Sequence, residues 1–316
     1  MRKLISFGES IVDMIFNPET NTYTKQAGGA PANVASCAAK LGYESYLISK
    51  LGKDYFGEFL AREYKSTGLK LDYTYFTSAG MTPLAFVHHD KNKNPQFSFY
   101  RNMTADMLLS KDEINPAWFS NAIFHMGTLS LADSPMKFAH IKAVDLAKKN
   151  QCIISFDPNI RLSCWKNANE CMFAVKSVSS LADIIKVSTE DLEFITQTTN
   201  HKDGIDALFQ GTAKLVIHTL GKDGAIIHTP YFEVSHPGFV VDTVDTTGAG
   251  DAFMGAFLAK VAEYDKPLDQ LTKEELYEML RFSNAVAAIS TTQKGAISSL
   301  PTKNQVLSFL EEHKED

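Results

Sequence analysis

Short, mostly apolar runs recur along the chain at residues 4–7, 46–49, 123–126, 153–156, 184–187 and 215–219, separated by stretches with helical periodicity. Runs this short, alternating with helical patterns, predict the central strands of a largely parallel sheet covered by helices. Residues 32–41 close at Gly42 and residues 56–67 close at Gly68. Glycine just past the last periodic position suits the left-handed residue that ends a helix, so both segments are predicted helices.

Two stretches break the rhythm. Residues 11–26, and residues 84–101 with a turn at 90–95, carry strand-like patterns with no helix between them. They predict one small sheet. Because they flank the first strand–helix–strand units, that sheet is expected over the carboxyl ends of the main strands, where open α/β sheets bind ligands. It reads as a lid formed mainly from residues 11–30 and 80–102. Its expected joints are near Ala79–Gly80 and Asn102, since a glycine rotates at little cost. No repeat, low-complexity tract or linker divides residues 1–316, so one domain is expected.

Composition narrows the partners. A length of 316 residues suffices for one large α/β domain with a small appendage. The net charge of −6 disfavours a broad nucleic-acid or membrane-surface footprint and leaves a small molecule as the expected partner. Cys37, Cys152, Cys164 and Cys171 form no CxxC pair and have no histidines at zinc-finger spacing, so they read as buried thiols of a reducing, cytoplasmic compartment. The amino-terminal apolar run is interrupted by Gly8, Glu9, Ser10 and Asp13, which suits a first strand better than a signal peptide. No stretch of about 18 apolar residues offers a membrane helix.

The strongest candidate chemistry runs from Val244 to Gly255, VDTTGAGDAFMG, a small-residue turn leading into an apolar helical pattern. The amides of Gly248, Ala249 and Gly250 at a helix amino terminus can hold an anion such as a transferring phosphoryl group. Asp251 follows directly and can take a proton from an attacking hydroxyl. From these residues alone, a glycine-rich cap with Asp251 stabilising the helix dipole explains the pattern equally well. A dinucleotide fingerprint would need glycine at 253, which is Phe253, and no P-loop pattern occurs.

DTTGAGDAF resembles the carboxyl-terminal signature of the ribokinase family of sugar kinases, the PfkB carbohydrate kinases. GGAPAN from Gly28 to Asn33, followed by GKDYFG from Gly52 to Gly57, resembles the family's amino-terminal signature. Two long motifs roughly 200 residues apart and in the family's order make coincidence improbable and favour the anion-hole reading. The resemblance implies a ribokinase-like three-layer α/β sandwich, with a mainly parallel central sheet and a small β-sheet lid. It implies Asp251 as base, with Asp13, Gly28, Gly29, Asn33, Arg101 and Arg161 around the sugar. Thr219, Gly221, Gly224 and Asn284 would border ATP.

Each of these has a plainer reading. Asp13 can form a turn, Asn33 can cap its helix, Arg101 can be an exposed edge charge, and Asn284 a helix-surface amide. Asp157 and Asn159 can simply shape their loop. The chain also departs from the family's N-x-x-E pattern, with Ser188 and Asp191 in those places. Magnesium would then be held through water by Glu190 or Asp191. Potassium is a further option by resemblance, at Asp245, Thr247, Ser290, Gln293, Gly295 and Ser299, mostly through backbone carbonyls.

GGAPANVA and FDPNIRLSCW look most like fructokinases, and DPNIR is also similar to 2-keto-3-deoxygluconate kinases. The implied reaction is transfer from ATP to D-fructose, giving fructose 6-phosphate. The rivals are a sugar-acid kinase, a nucleoside kinase, and a sugar-sensing protein that kept the fold without catalysis. The expected partners are a sugar and ATP, with no nucleic acid and no membrane, and a homodimer through the lid as a further arrangement.

Overall fold

All six short apolar runs are strands in the computed structural model, which describes residues 1–89, 95–264 and 266–314. After β1 (Lys3–Phe7) the chain leaves the main sheet for β2 (Ile11–Asn17) and β3 (Thr22–Gly28). It returns through α1 (Ala30–Lys40) to β4 (Ser45–Gly52), α2 (Tyr55–Ser66) and β5 (Thr74–Thr77). A second excursion makes β6 (Leu84–His89) and β7 (Pro95–Tyr100). Strands and helices then alternate through β8 (Ala122–Met126), α3 (Pro135–Lys149), β9 (Ile153–Phe156), α4 (Ala168–Ser179) and β10 (Ile184–Ser188). There follow α5 (Thr189–Thr196), α6 (His201–Leu208), β11 (Leu215–Thr219), β12 (Ala225–His228), β13 (Glu233–His236), α7 (Ala249–Glu263), α8 (Lys273–Thr291) and α9 (Lys303–Glu312). Gly42 and Gly68 both have φ +92°, as the helix-stop reading requires.

The main sheet has the order β13-β12-β11-β10-β9-β8-β1-β4-β5 and is parallel except where β12 and β13 fold back at one edge. Strand order reverses at β1, with β4 and β5 on one side and β8 to β11 on the other. The connections therefore diverge at the carboxyl ends of β1 and β8 and open a crevice there.

Alternate strand residues enter opposite cores, which makes three layers. Leu4, Ile123, Ile184 and Leu215 pack with α1, α2, α7, α8 and α9. Their neighbours Ile5, Phe124, Ile185 and Val216 pack with α3, α4, α5 and α6. No helix among the described residues is long and apolar enough to cross a membrane. Cys37, Cys152 and Cys171 are buried, but Cys164 is only half-buried.

The two excursions join in a second sheet, ordered β3-β2-β6-β7, in which β2 and β6 run parallel. The turn expected at 90–95 falls mainly on residues outside those described. Gly80 differs from expectation. A Cβ there would sit 2.9 Å from both Ala105 N and Leu108 Cδ1, and Ala105 N–H bonds Met81 O at 2.8 Å. The two crossings into this sheet thus run side by side, and Gly80 permits their close approach instead of acting as a loose swivel.

Candidate active site

The crevice is furnished by α7, which packs against α1 and α8. Gly255 lies against α1 so closely that a Cβ would fall 2.5 Å from Val34 O and 2.6 Å from Cys37 Cβ. Cys37 Sγ also donates to Ala252 O at 3.2 Å. This approach brings Asn33 Nδ2 to 2.8 Å from Asp251 Oδ2. Asn33 lies inside α1, whose N-cap is Gly29, so it is no cap: its buried amide reaches across to the other helix.

Gly248 caps α7 with φ +76° and no side-chain cap bond. The expected set of three free amides is altered, because Ala249 N–H goes to Thr246 O at 3.2 Å. Among the described residues, the Gly248, Gly250 and Asp251 amides have no backbone acceptor, which leaves them as donors at the head of α7.

Asp251 is buried, and its carboxyl is pushed up to about 7. Burial is the largest cause, the Asn33 amide pulls it back, Asp157 raises it, and Lys186 and Arg161 lower it. Asp13, half-buried on β2, is likewise pushed up to about 7, by burial and then by Asp251, against the pull of Arg161. A Cβ at Gly28 would touch Asp13 Oδ2, so glycine there leaves the carboxylate its place. At neutral pH these two groups are therefore poised between protonation states.

The DPNIR segment contributes more than loop shape. Asp157 is buried and takes an ion pair from Lys186 Nζ at 2.9 Å, while its other oxygen, Oδ1, is buried without a partner among the described residues. Asn159, with φ +41°, does fit the loop-shaping reading. Arg161 is exposed, donates to Ile160 O at 3.0 Å, and lies over the Phe97 ring at 5.9 Å. Ser188 proves to be the N-cap of α5, accepting Asp191 N–H at 3.1 Å, so the serine does capping work at the position of the family asparagine. Asp191 is buried and accepts from Ile160 N–H at 3.2 Å, whereas Glu190 is exposed.

Arg101 is not an exposed edge charge. Its side chain is 5% exposed and Nε sits 2.6 Å from Asp106 Oδ2, whose other oxygen accepts from Thr104 at 2.6 Å. Glu9 lies beside it, with its carboxyl raised by burial and partly drawn back by Arg101. Arg101 also borders a cavity of about 590 Å³ with Phe99, Cys164, Trp165, Lys166 and Glu170.

Farther along the crevice, Thr219 ends β11, Gly221 has φ +61°, and Gly224 has φ +83° where a Cβ would collide with His236 O. Asn284 is not a helix-surface amide: it is buried on α8 and donates toward His236 Nδ1 at 3.1 Å. Asp245 accepts N–H groups from Thr247 and Gly295, each at 2.9 Å, which ties residues 244–247 to the turn after α8. In that turn Ser299 Oγ is buried without a partner among the described residues, Ser290 Oγ is spent on Ala287 O, and Gln293 is exposed.

Sequence reasoning named neither Lys186, Asp106 nor Glu9 as site residues. Lys186 did carry a signal, a charge inside the apolar run IIKV. Asp106 carried none, since its burial against Arg101 arises only in three dimensions.

Known proteins resemble this chain in sequence and fold. Residues 1–303 match the family model for pfkB family carbohydrate kinases. Fructokinase-2 of Solanum lycopersicum is 41% identical over 315 residues, covering 97% of this chain and 95% of that protein. The structure of a fructokinase with bound ATP from Xylella fastidiosa matches at TM-score 0.92 and 34% identity, covering 100% of both chains. A fructokinase double mutant from Vibrio cholerae O395, in a form bound to fructose, ADP and potassium ion, matches at TM-score 0.91 and 30% identity, covering 98% of each.

Proposed function

The chain belongs to the pfkB family of carbohydrate kinases, and from that premise we propose that it transfers the γ-phosphoryl group of ATP to the 6-hydroxymethyl group of D-fructose. The observation that carries this reading is Asp251: a buried carboxylate at the head of α7, oriented by Asn33, with its pKa raised to about 7. A base near neutrality is well matched to deprotonating a hydroxyl as it attacks.

In the proposed step, Asp251 takes the proton of the sugar hydroxyl. The sugar oxygen forms its bond to phosphorus while the bond to the β-phosphate oxygen breaks, and ADP leaves with that electron pair. The Gly248 and Gly250 amides donate to the phosphoryl oxygens, and the helix terminus favours their charge. Asp13 accepts from sugar hydroxyls, with Gly28 and Gly29 letting the sugar approach. Arg161 covers the open side. Thr219, Gly221 and Gly224 border the nucleotide phosphates, and Asn284 the base.

Magnesium, when bound with ATP, neutralises phosphate charge. Buried Asp191 suits a hard cation held through water better than exposed Glu190 does. Potassium, present in the Vibrio cholerae relative, would sit between residues 245–247 and 290–299, where the orphaned Ser299 hydroxyl and backbone carbonyls supply oxygen.

A sugar acid is the less favoured acceptor, because, of Arg101 and Arg161, the two cations that could meet its carboxylate, Arg101 is already neutralised by Asp106 with Glu9 alongside. The test is ADP release with ATP and magnesium across ketoses, sugar acids and nucleosides. D-Fructose is expected to give the highest kcat/KM. A higher value for a sugar acid or nucleoside would overturn the substrate, and no release with any sugar would favour a binding protein.

A further inference from the structure

We propose that Lys186 is a further catalytic residue, the cation that meets the transferring phosphoryl group at the head of α7, with Asp157 holding it in place. The inference rests on the phosphoryl-transfer reading above but not on which sugar is used.

Lys186 stands in the middle of β10, between Ile185 and Val187, which are both fully buried. Burying an ammonium is costly, and an apolar residue would serve the fold as well or better. The strand therefore carries a charge that packing does not require. The side chain runs to the carboxyl edge of the sheet and stops against α7: a Cβ at Gly250 would lie 3.2 Å from Nζ. The ammonium thus lies next to Gly250, whose amide has no backbone acceptor among the described residues, and glycine there leaves it room.

An ammonium has three donors. One goes to Asp157 Oδ2 at 2.9 Å, and among the described residues no other hydrogen-bond acceptor takes the remaining two. The local charge also calls for a cation. Asp157, Asp191 and Asp251 all act on Lys186 and keep it protonated despite burial. A phosphoryl group entering beside three carboxylates needs a positive charge at the hole itself, and Arg161 is exposed and farther out on its loop. With Lys186 in contact, charge growing on the phosphoryl oxygens is met by a preorganised donor that water does not screen. Asp157 then positions a catalytic group.

The groups facing Asp251 are Asp13 from β2, Asn33 and Cys37 from α1, Asp157 and Arg161 after β9, and Lys186 from β10. Removing the Lys186 cation should move the acid limb of the kcat profile to higher pH, since it holds Asp251 down. Removing the Asp157 charge alone should move the limb to lower pH.

Lys186→Met leaves Asp157 buried and unpaired, so the decisive variant is the double substitution Lys186→Met with Asp157→Asn, which removes both charges together. Its fold is checked by thermal unfolding and circular dichroism. Rates are measured with whichever acceptor the wild type uses, water included, so failure of the fructose reading appears in the wild type and failure of this proposal in the variants. The expected result is a folded double variant with kcat down at least about 100-fold, KM for the sugar within about threefold, and loss of inhibition by ADP with aluminium fluoride. Asp157→Asn should keep more activity than Lys186→Met and show the opposite pH shift. A folded double variant with kcat within about fivefold of wild type, or both single variants shifting the limb the same way, would overturn the proposal.

Discussion

Asp251 and Lys186 sit on α7 and β10, elements buried between strands and helices. Asp13 sits on the small sheet, with Arg101 just past its last strand; Val12 and Ala27 of that sheet join the main core, and a separate cluster of Ile11 and Ala85 with Leu129 has Phe97, Phe99 and Cys164 against it. The proposed phosphoryl side of the cleft is therefore fixed by the core, as preorganised electrostatic stabilisation requires. The proposed sugar side is built on a sheet whose β2 and β3 join that core while β7 meets a smaller cluster, where movement costs less. Arg101 bonded to Asp106 shows that this side is not loose throughout. Its two crossings are pinned together by Ala105 and Met81, so motion would be of the sheet as a unit, not of separate strands.

The largest expected effect is on the fixed side. Asp251→Asn keeps size and the Asn33 contact but removes the base, so kcat should fall by roughly 10² to 10⁴ with ATP binding retained, as read by steady-state kinetics and calorimetry. The same variant sharpens the comparison through stability. A carboxyl whose folded pKa lies near 7, above the unfolded value near 3.8, loses stability as pH rises from about 4 to 7 and stays penalised above that. Asp251→Asn should therefore unfold at a higher temperature than wild type at pH 8. A residue kept only to stabilise its helix would give the reverse.

Next comes the helix contact. Gly255→Ala forces a methyl into Val34 O and Cys37, which should cost about 1–3 kcal/mol in denaturant unfolding and lower kcat by displacing Asp251 from Asn33. On the sugar side, Asp13→Ala should weaken sugar binding by about 1–3 kcal/mol, roughly 5- to 150-fold, and leave ATP affinity nearly unchanged in calorimetry. Equal losses for both ligands would erase the division between the two walls. The smallest effect is in hydrogen exchange. Sugar should slow exchange in residues 84–89 and 95–101 and around Asp13, while nucleotide alone should protect mainly 219–224 and 245–255. No change in the small sheet would make it a static cover.

Much of this was legible in the chain because its cues are local. Buried parallel strands announce themselves as short apolar runs, and the turn from Val244 to Gly255 combines glycines, small residues and an acid in one stretch. What escaped depends on which side chains the fold brings together. Asp106 gains its meaning from Arg101, Asp157 from Lys186, and Asn33 from Asp251, a bond spanning 218 positions of sequence. The close neighbours of Gly80 escaped too, because a glycine looks the same in sequence whether it turns freely or admits a close approach. Lys186 could have been read, since a lysine flanked by isoleucine and valine inside a central strand is expensive unless something answers its charge.

The measurement closest to the central claim is the pH dependence of a single turnover, following fructose 6-phosphate formation from pre-bound ATP in wild type, Asp13→Asn and Asp251→Asn. The wild-type rate should fall about tenfold per pH unit below pH 7, as Asp251 takes up its proton. Asp13→Asn should keep that limb, moved to lower pH because a like charge has gone, and Asp251→Asn should be slow and flat across the range. An Asp251→Asn variant that turns over near the wild-type rate with the same acid limb would contradict the account.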